Sequence, residues 1–268
     1  MVVDSRSAAQ DARRAAAAAG VQVLQATNEQ TARLVSEVGE DVWGPGGVFA
    51  PSELQALAFA GNPVHLALDD QAVLGFSIGF LGWSPRLHVH SHQTAVLPGA
   101  RRRGVGLALK LAQRQTCLAH GITEMRWTFD PLVRRNTAFN LVALGARAVS
   151  FHPDFYGVMT DTVNAGDRSD RVLAVWDLPQ PVQPPAQALA ASGPVLLADR
   201  DGRPAILDAA PRPGAVIAVP HDYETVRSTD SSLSLEWRMA VRQVLMTAYE
   251  AGLQIVTVTP AGYRLGRA

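Results

Sequence analysis

Residues 87–120 constrain the fold more than any other stretch. An alternating run from Leu87 to Leu97 is halted by Pro98, passes through Gly99-Ala100-Arg101-Arg102-Arg103-Gly104-Val105-Gly106, and opens into an apolar-periodic run ending at His120. Period-two alternation predicts a strand. Leu107, Leu111, Gln115 and Leu118, at three- and four-residue steps, predict a helix that Gly121 closes. A strand that feeds directly into a helix through a glycine-bearing loop requires a mixed α/β class.

The flanking pattern agrees. Residues 1–20 are an Ala-rich lead-in, read as either a frayed helix or disorder. Val21–Ala26 reads as a strand, Asn28 caps a helix to about Val42, and Pro51 opens another to about Ala60. Strands follow at 64–68, 72–80 and 87–97, then the helix from Gly104 and a strand over 124–129. A helix over 136–144 precedes strands at 148–151 and 172–176. Pro179, Pro181, Pro184, Pro185 and Pro194 mark 179–194 as an extended linker. Beyond it, Asp201-Gly202 signals a hairpin, and a helix over 231–251 with a strand over 253–259 completes a small αβ domain. The expected organisation is therefore a lead-in at 1–20, a domain at 21–178, a linker at 179–194 and a smaller domain at 195–268.

Charge narrows the function. The 24 basic residues match the 24 acidic ones, so the chain lacks the broad positive field of a phosphate-backbone binder, and no nucleic-acid partner is expected. Cys117 stands alone, which excludes an intramolecular disulfide and zinc sites built on paired cysteines, and fits a reducing cytoplasm. The apolar run at Ala15–Ala19 is far short of the ~20 residues of a spanning helix, so no membrane role is expected.

The loop itself favours an anion. Gly104 and Gly106 let backbone approach a ligand, helix N-terminal amides attract negative charge, and three arginines supply counter-charge. No P-loop pattern is present, and Leu109 stands where a Rossmann loop would place its third glycine. Val96, Pro98, Arg101, Gly104 and Gly106 do match in register the Val-x-Pro then Arg/Gln-x-x-Gly-x-Gly/Ala signature, and the segment resembles the GNAT acyltransferase superfamily. The element order over 21–178 is similar to that family's as well. The resemblance implies a GNAT-like acyl-CoA-binding fold with a mixed sheet, and acetyl-CoA as acyl donor. It implies amides from Arg101, Arg102, Arg103, Gly104, Val105, Gly106 and Leu107 on the pyrophosphate, and the strand ending at Val96 beside the pantetheine arm. Asn136 sits where the family often has a cofactor-contacting asparagine; a plain helix cap is the other reading.

His88, His90 and His92 alternate on one strand face. Alternate residues lie about 6.5–7 Å apart, which disfavours a shared metal, and no metal is expected. Half-buried polar side chains or proton acceptors remain. The strand is similar to that of arylalkylamine N-acetyltransferases, which implies a catalytic role for His90 and His92. Many GNAT members carry a tyrosine four residues before the glycine of a Leu-Gly-Phe sequence. Here Leu144-Gly145-Ala146 aligns with that sequence and Leu141 holds the tyrosine position, leaving Tyr156 as a candidate acid. The implied reaction is direct acyl transfer, acetyl or another short acyl group, to an amine of a small molecule or peptide. An acyl-CoA-binding regulatory protein without efficient catalysis is the alternative. The 195–268 domain is left as a lid over the acceptor site or a homodimer contact. The 157–170 loop, with Asp161, Asn164, Asp167 and Asp170, lacks EF-hand spacing and reads as solvated or substrate-facing.

Overall fold

The computed structural model describes residues 3–70, 72–159, 161, 164, 166–181 and 193–267. The chain divides into two compact units. One holds Met1–Trp127, Asp161–Asn164 and Asp177–Pro181; the other holds Thr128–Thr160, Ala165–Trp176 and Val182–Ala268. Most of the proline-rich stretch, residues 182–192, lies outside the described residues.

In the first unit the Ala-rich lead-in is a helix, α1 (Ser5–Ala19), capped by the Asp4 carboxylate accepting from the Ser7 amide and closed by Gly20 in the left-handed region. Strand β1 (Gln22–Gln25) leads to α2 (Glu29–Trp43), whose N-terminus Asn28 and Thr31 cap reciprocally, and α3 (Pro51–Phe59) follows. Strands β2 (Val64–Leu68), β3 (Val73–Gly82) and β4 (His88–Val96) form an antiparallel run with β1 at its edge. After a short 3-10 turn at Pro98–Ala100 comes α4 (Val105–Ala119), and then β5 (Glu124–Phe129), which runs parallel to β4. The sheet is therefore mixed, as expected.

Two apolar layers cover this sheet. On one face Val35, Val38 and Leu54 of α2 and α3 pack on Val64, Leu66, Phe76, Ile78 and Ala95. On the other, Ala19, Ala67, Val105 and Leu109 form a smaller cluster with Val96 beside it. The α4 helix differs from the sequence expectation. Of the series that predicts the helix Leu111 is buried, whereas Leu107, Gln115 and Leu118 are only half-buried, and Val105, Ala108, Leu109, Ala112, Gln113 and Cys117 are buried with it. Buried Arg114 explains part of this. Its Nε donates to Leu178 O at 2.8 Å and its guanidinium reaches Asp11 of α1, so α4 is covered on a second side that an amphipathic reading leaves to solvent.

The second unit carries α5 (Arg134–Ala138), which passes into a π-helical turn at Phe139–Ala143, and an antiparallel pair, β6 (Arg147–His152) and β7 (Arg171–Asp177). A five-stranded sheet follows in the order β11-β12-β10-β8-β9, built from β8 (Val195–Arg200), β9 (Arg203–Ile206), β10 (Val216–Ile217), β11 (Gln254–Thr259) and β12 (Gly262–Gly266). Helices α6 (Tyr223–Thr229) and α7 (Ser231–Glu250) accompany it. Neither α6 nor β12 has a counterpart in the sequence reading. β12 starts at Gly262, where a Cβ would lie 2.2 Å from Ile217 O, so only glycine lets the two backbones approach.

Helix α7 is held by charge. Arg238, 1% exposed, donates to both carboxylate oxygens of Asp130, at 2.8 and 2.7 Å, and to Asp167. Arg242 binds Asp154 and Asp170, and Tyr223 Oη donates to Asp167 at 2.9 Å. Asp167 and Asp170 are buried, which corrects the expectation of a solvated setting for these two residues while Gly157, Val158 and Gly166 are exposed: arginines from a helix some 70 residues on neutralise them. Removing one side of a buried pair strands the other charge, at about 3–5 kcal/mol. Arg238→Ala should lower stability by about that amount in urea titration, whereas Arg33→Ala, which loses only an exposed i,i+4 pair with Glu29, should leave the midpoint unmoved.

Candidate active site

The site lies where β4 and β5 part. They share two residue pairs, Val89↔Met125 and His90↔Arg126, and the ladder ends there although β4 continues to Val96. A bulge accompanies the parting: Gly79 faces Ser91 and Ile78 faces Gln93, so His92 is the extra residue of β4. Such a bulge bends the strand and re-aims its side chains.

Past the bulge β4 ends at Leu97 and the arginine loop begins. Arg102 has φ +64° and Gly104 φ +91°, which turn the chain into α4. Arg101, Arg102 and Arg103 are exposed; Arg103 lies 3.8 Å from Asp69, and the other two form no ion pair among the described residues. No side chain caps the first turn of α4, so the amides of Val105, Gly106 and Leu107 remain for an external acceptor. The loop thus has the geometry expected of an anion cradle. Val96 pairs with Gly75 at the loop end of β4. Asn136 belongs to the second unit, exposed within α5, whose cap residue is Val133.

The structure brings His90 and His92 together with two phenylalanines. The His90 ring stacks on Phe80 at 5.2 Å, His92 lies 5.5 Å from Phe49 and 5.6 Å from Phe80, and the imidazoles are 5.9 Å apart. Burial pulls His90 down to about 4, helped by repulsion from His92, His88 and Lys110. For His92 burial alone lowers the value. Both imidazoles are therefore neutral at pH 7 and able to accept a proton. His88 is separate: its Nδ1 lies 2.8 Å from Arg86 O and its ring packs over Gly82. Among the described residues no group of three or more His, Cys, Asp or Glu side chains could hold a metal.

Sequence reasoning missed the opposite face of the parting. Ser91 and Trp127, each one residue beyond the last β4–β5 pair, both contact Lys110 of α4. Its Nζ donates to Ser91 Oγ at 2.8 Å and lies 4.0 Å from the Trp127 ring centroid; Ser91 Oγ in turn donates to Gln113 Oε1 at 2.7 Å. Lys110 is 4% exposed, and desolvation pulls it down to about 7. One signal was legible: of the 24 basic residues, Lys110 is the only lysine. Nearby Cys117 is pushed up to about 12 by burial, which keeps it a thiol and a poor nucleophile. Tyr156, the candidate acid, is in the second unit with its hydroxyl 3.2 Å from Thr128 Oγ1, and Leu141 is buried in the π-helical turn.

No protein-family model matches the chain, and no curated protein matches it in sequence. Similar solved structures include the ribosomal-protein-S18-alanine N-acetyltransferase of Escherichia coli, 12% identical, covering 63% of this chain and 98% of that one at a TM-score of 0.48. Others are Arabidopsis thaliana Naa50 in complex with the bisubstrate analogue CoA-Ac-MVNAL (17% identical, 58% and 97% covered, TM-score 0.46) and an IAA acetyltransferase of Bacillus cereus (12%, 59% and 99%, TM-score 0.45).

The buried imidazoles make stability depend on pH. His65 is fully buried and pulled down to about 4 by desolvation, as is His90 in part. Both bind protons more weakly folded than unfolded, so their cost is absent above the unfolded value of 6.5 and grows as pH falls towards 4. For His65 the fall is worth about 3 kcal/mol. Urea midpoints should drop between pH 6.5 and 4, and His65→Gln should flatten that slope. The Asp154 carboxylate, held at about 2 by Arg168 and Arg242, contributes only to a further loss below about 4.

Proposed function

We propose that the first unit binds acetyl-CoA and transfers the acetyl group to an amine, as a member of the GNAT superfamily. The observation that carries this reading is the conjunction of the arginine loop, with its uncapped α4 amides, and the parting of β4 from β5 beyond His90↔Arg126. The loop would hold the pyrophosphate through the amides of Arg101–Leu107. The unpaired edge of β4 from Ser91 to Val96 would offer backbone groups to an extended arm, as a sheet edge does to an added strand. The thioester would then lie near the bulge at His92.

On the other face, Phe49, Phe80, His90 and His92 line the place an acceptor would occupy. An amine attacks only as the free base, and a neutral imidazole beside it takes the proton directly or through water. His92 is the better acceptor, because burial alone lowers its proton affinity, whereas at His90 repulsion from His92, His88 and Lys110 adds to the burial. His90 positions it. Cytoplasmic location and a small-molecule or peptide acceptor belong to the same proposal.

Isothermal calorimetry should show saturable acetyl-CoA binding with a stoichiometry of one, and its absence overturns the reading. Gly104→Val, which forces a side chain into the left-handed region, should weaken that binding by about tenfold or more. With an acceptor found by screening amines for thiol release, His92→Gln should lose about 10²–10⁴-fold in kcat/KM and its low-pH limb, and His90→Gln less. Tight acetyl-CoA binding with no acceptor across a broad panel would favour the binding-protein alternative.

A further inference from the structure

Lys110 has no use in the scheme so far, yet its surroundings are specific. It is the only lysine among 24 basic residues, and it is buried while the arginines of the loop are exposed. Arginine stays charged at any ordinary pH; lysine can give up its proton. No carboxylate stands within ion-pair distance of Nζ among the described residues, and its recorded partners are the Ser91 hydroxyl and the face of Trp127. A buried cation without a counter-ion is costly unless an anion arrives in the working cycle. Those partners flank the last β4–β5 pair on the two strands, so the ammonium sits behind the point where they separate.

Distances along the chain agree. Lys110 is six residues beyond Gly104, about 9 Å down the helix, and Ser91 is five residues before Val96, about 16 Å along the strand. A ligand with its phosphates at the loop and its arm along β4 would end with its reactive group near Ser91.

Building on the acyl-CoA reading, we propose that Lys110 is the proton donor to the departing sulfur, in the role for which Leu141 offers no acid. As the amine nitrogen bonds to the acyl carbon, the C–S bond breaks and its electron pair goes to sulfur. Lys110 Nζ gives a proton to that sulfur and is left neutral, while the nitrogen gives its proton to His92. Solvent then carries one proton from His92 back to Lys110. The free CoA thiol leaves, and atoms and charge balance. The charge state suits the task, since burial places the ammonium near 7, where it is both present and willing to donate. The titratable groups that act on it are His90 on β4 and Cys117 on α4; Asp11 of α1 is taken by Arg114 and Arg14, and Glu124 of β5 by Arg86 and Arg126.

A single lysine makes this directly measurable. Labelling lysine with carbon-13 at Cε yields one resonance, whose titration can be followed in the free protein and in its complexes with acetyl-CoA and with CoA. A thiolate beside the ammonium should raise the proton affinity of Lys110 in the CoA complex by about tenfold or more over the acetyl-CoA complex, which has no sulfur anion. In Lys110→Met the thiol of bound CoA, followed by its ultraviolet absorbance, should ionise at a higher pH by a similar factor, while acetyl-CoA affinity changes less than about twofold. If Lys110 titrates identically in the two complexes, the inference is overturned although both ligands bind. Failure of either ligand to bind the unaltered protein overturns the acyl-CoA reading itself.

Discussion

Hydrogen bonding between two parallel strands that stops after two residue pairs is the constraint on which the candidate site depends. A buried strand edge must find partners for its amides and carbonyls. Beyond His90↔Arg126, β4 has antiparallel bonds to β3 on one side only. The bulge at His92 is the local device that makes this possible, because one extra residue bends β4 and adds twist. It also separates the two functions of the strand. Ser91 faces α4 and Lys110, whereas His90 and His92 face Phe49 and Phe80.

The polarity of α4 follows from the same place. A helix packed on a sheet ordinarily presents apolar residues to it, yet this one buries Lys110, Gln113 and Arg114. Arg114 is explained by its bonds to Leu178, Gln180 and Asp11, which tie α1 and the 177–181 segment to the helix. Gln113 supports Ser91, and Ser91 supports Lys110. Lys110, Ser91 and Gln113 thus form one connected polar group beside the parted strands, separate from Arg114. In the second unit buried charge does a different task. Asp130, Asp154, Asp167 and Asp170 are each matched by an arginine, so loops that read as polar and open are fixed to α7.

Much of the first unit was legible because its signals are local. Asn28, Pro51, Gly104 and Gly121 mark helix ends through their own backbone preferences, apolar β-rich runs mark β2 and β3, and period-two alternation marks β4. Of Leu107, Leu111, Gln115 and Leu118 in α4 only Leu111 is buried, because helical periodicity alone does not foresee an interior that includes three polar residues. α6 and β12 were missed because a seven-residue helix and a glycine-led strand exist only through the neighbours they pack against. The arginine loop was found at its observed position, since a glycine pattern between strand and helix needs no distant information.

What the sequence by itself determined is the class and the loop: strand, proline stop, glycines and arginines, then helix, dictated by steric limits on each residue. Tertiary structure alone decided where the β4–β5 ladder stops, that His90 and His92 share a face with Phe49 and Phe80, and that Lys110 lies buried against Ser91 and Trp127. Those pairings join residues 10 to 43 positions apart. Their energies come from desolvation and contact geometry, which no local pattern along the chain encodes.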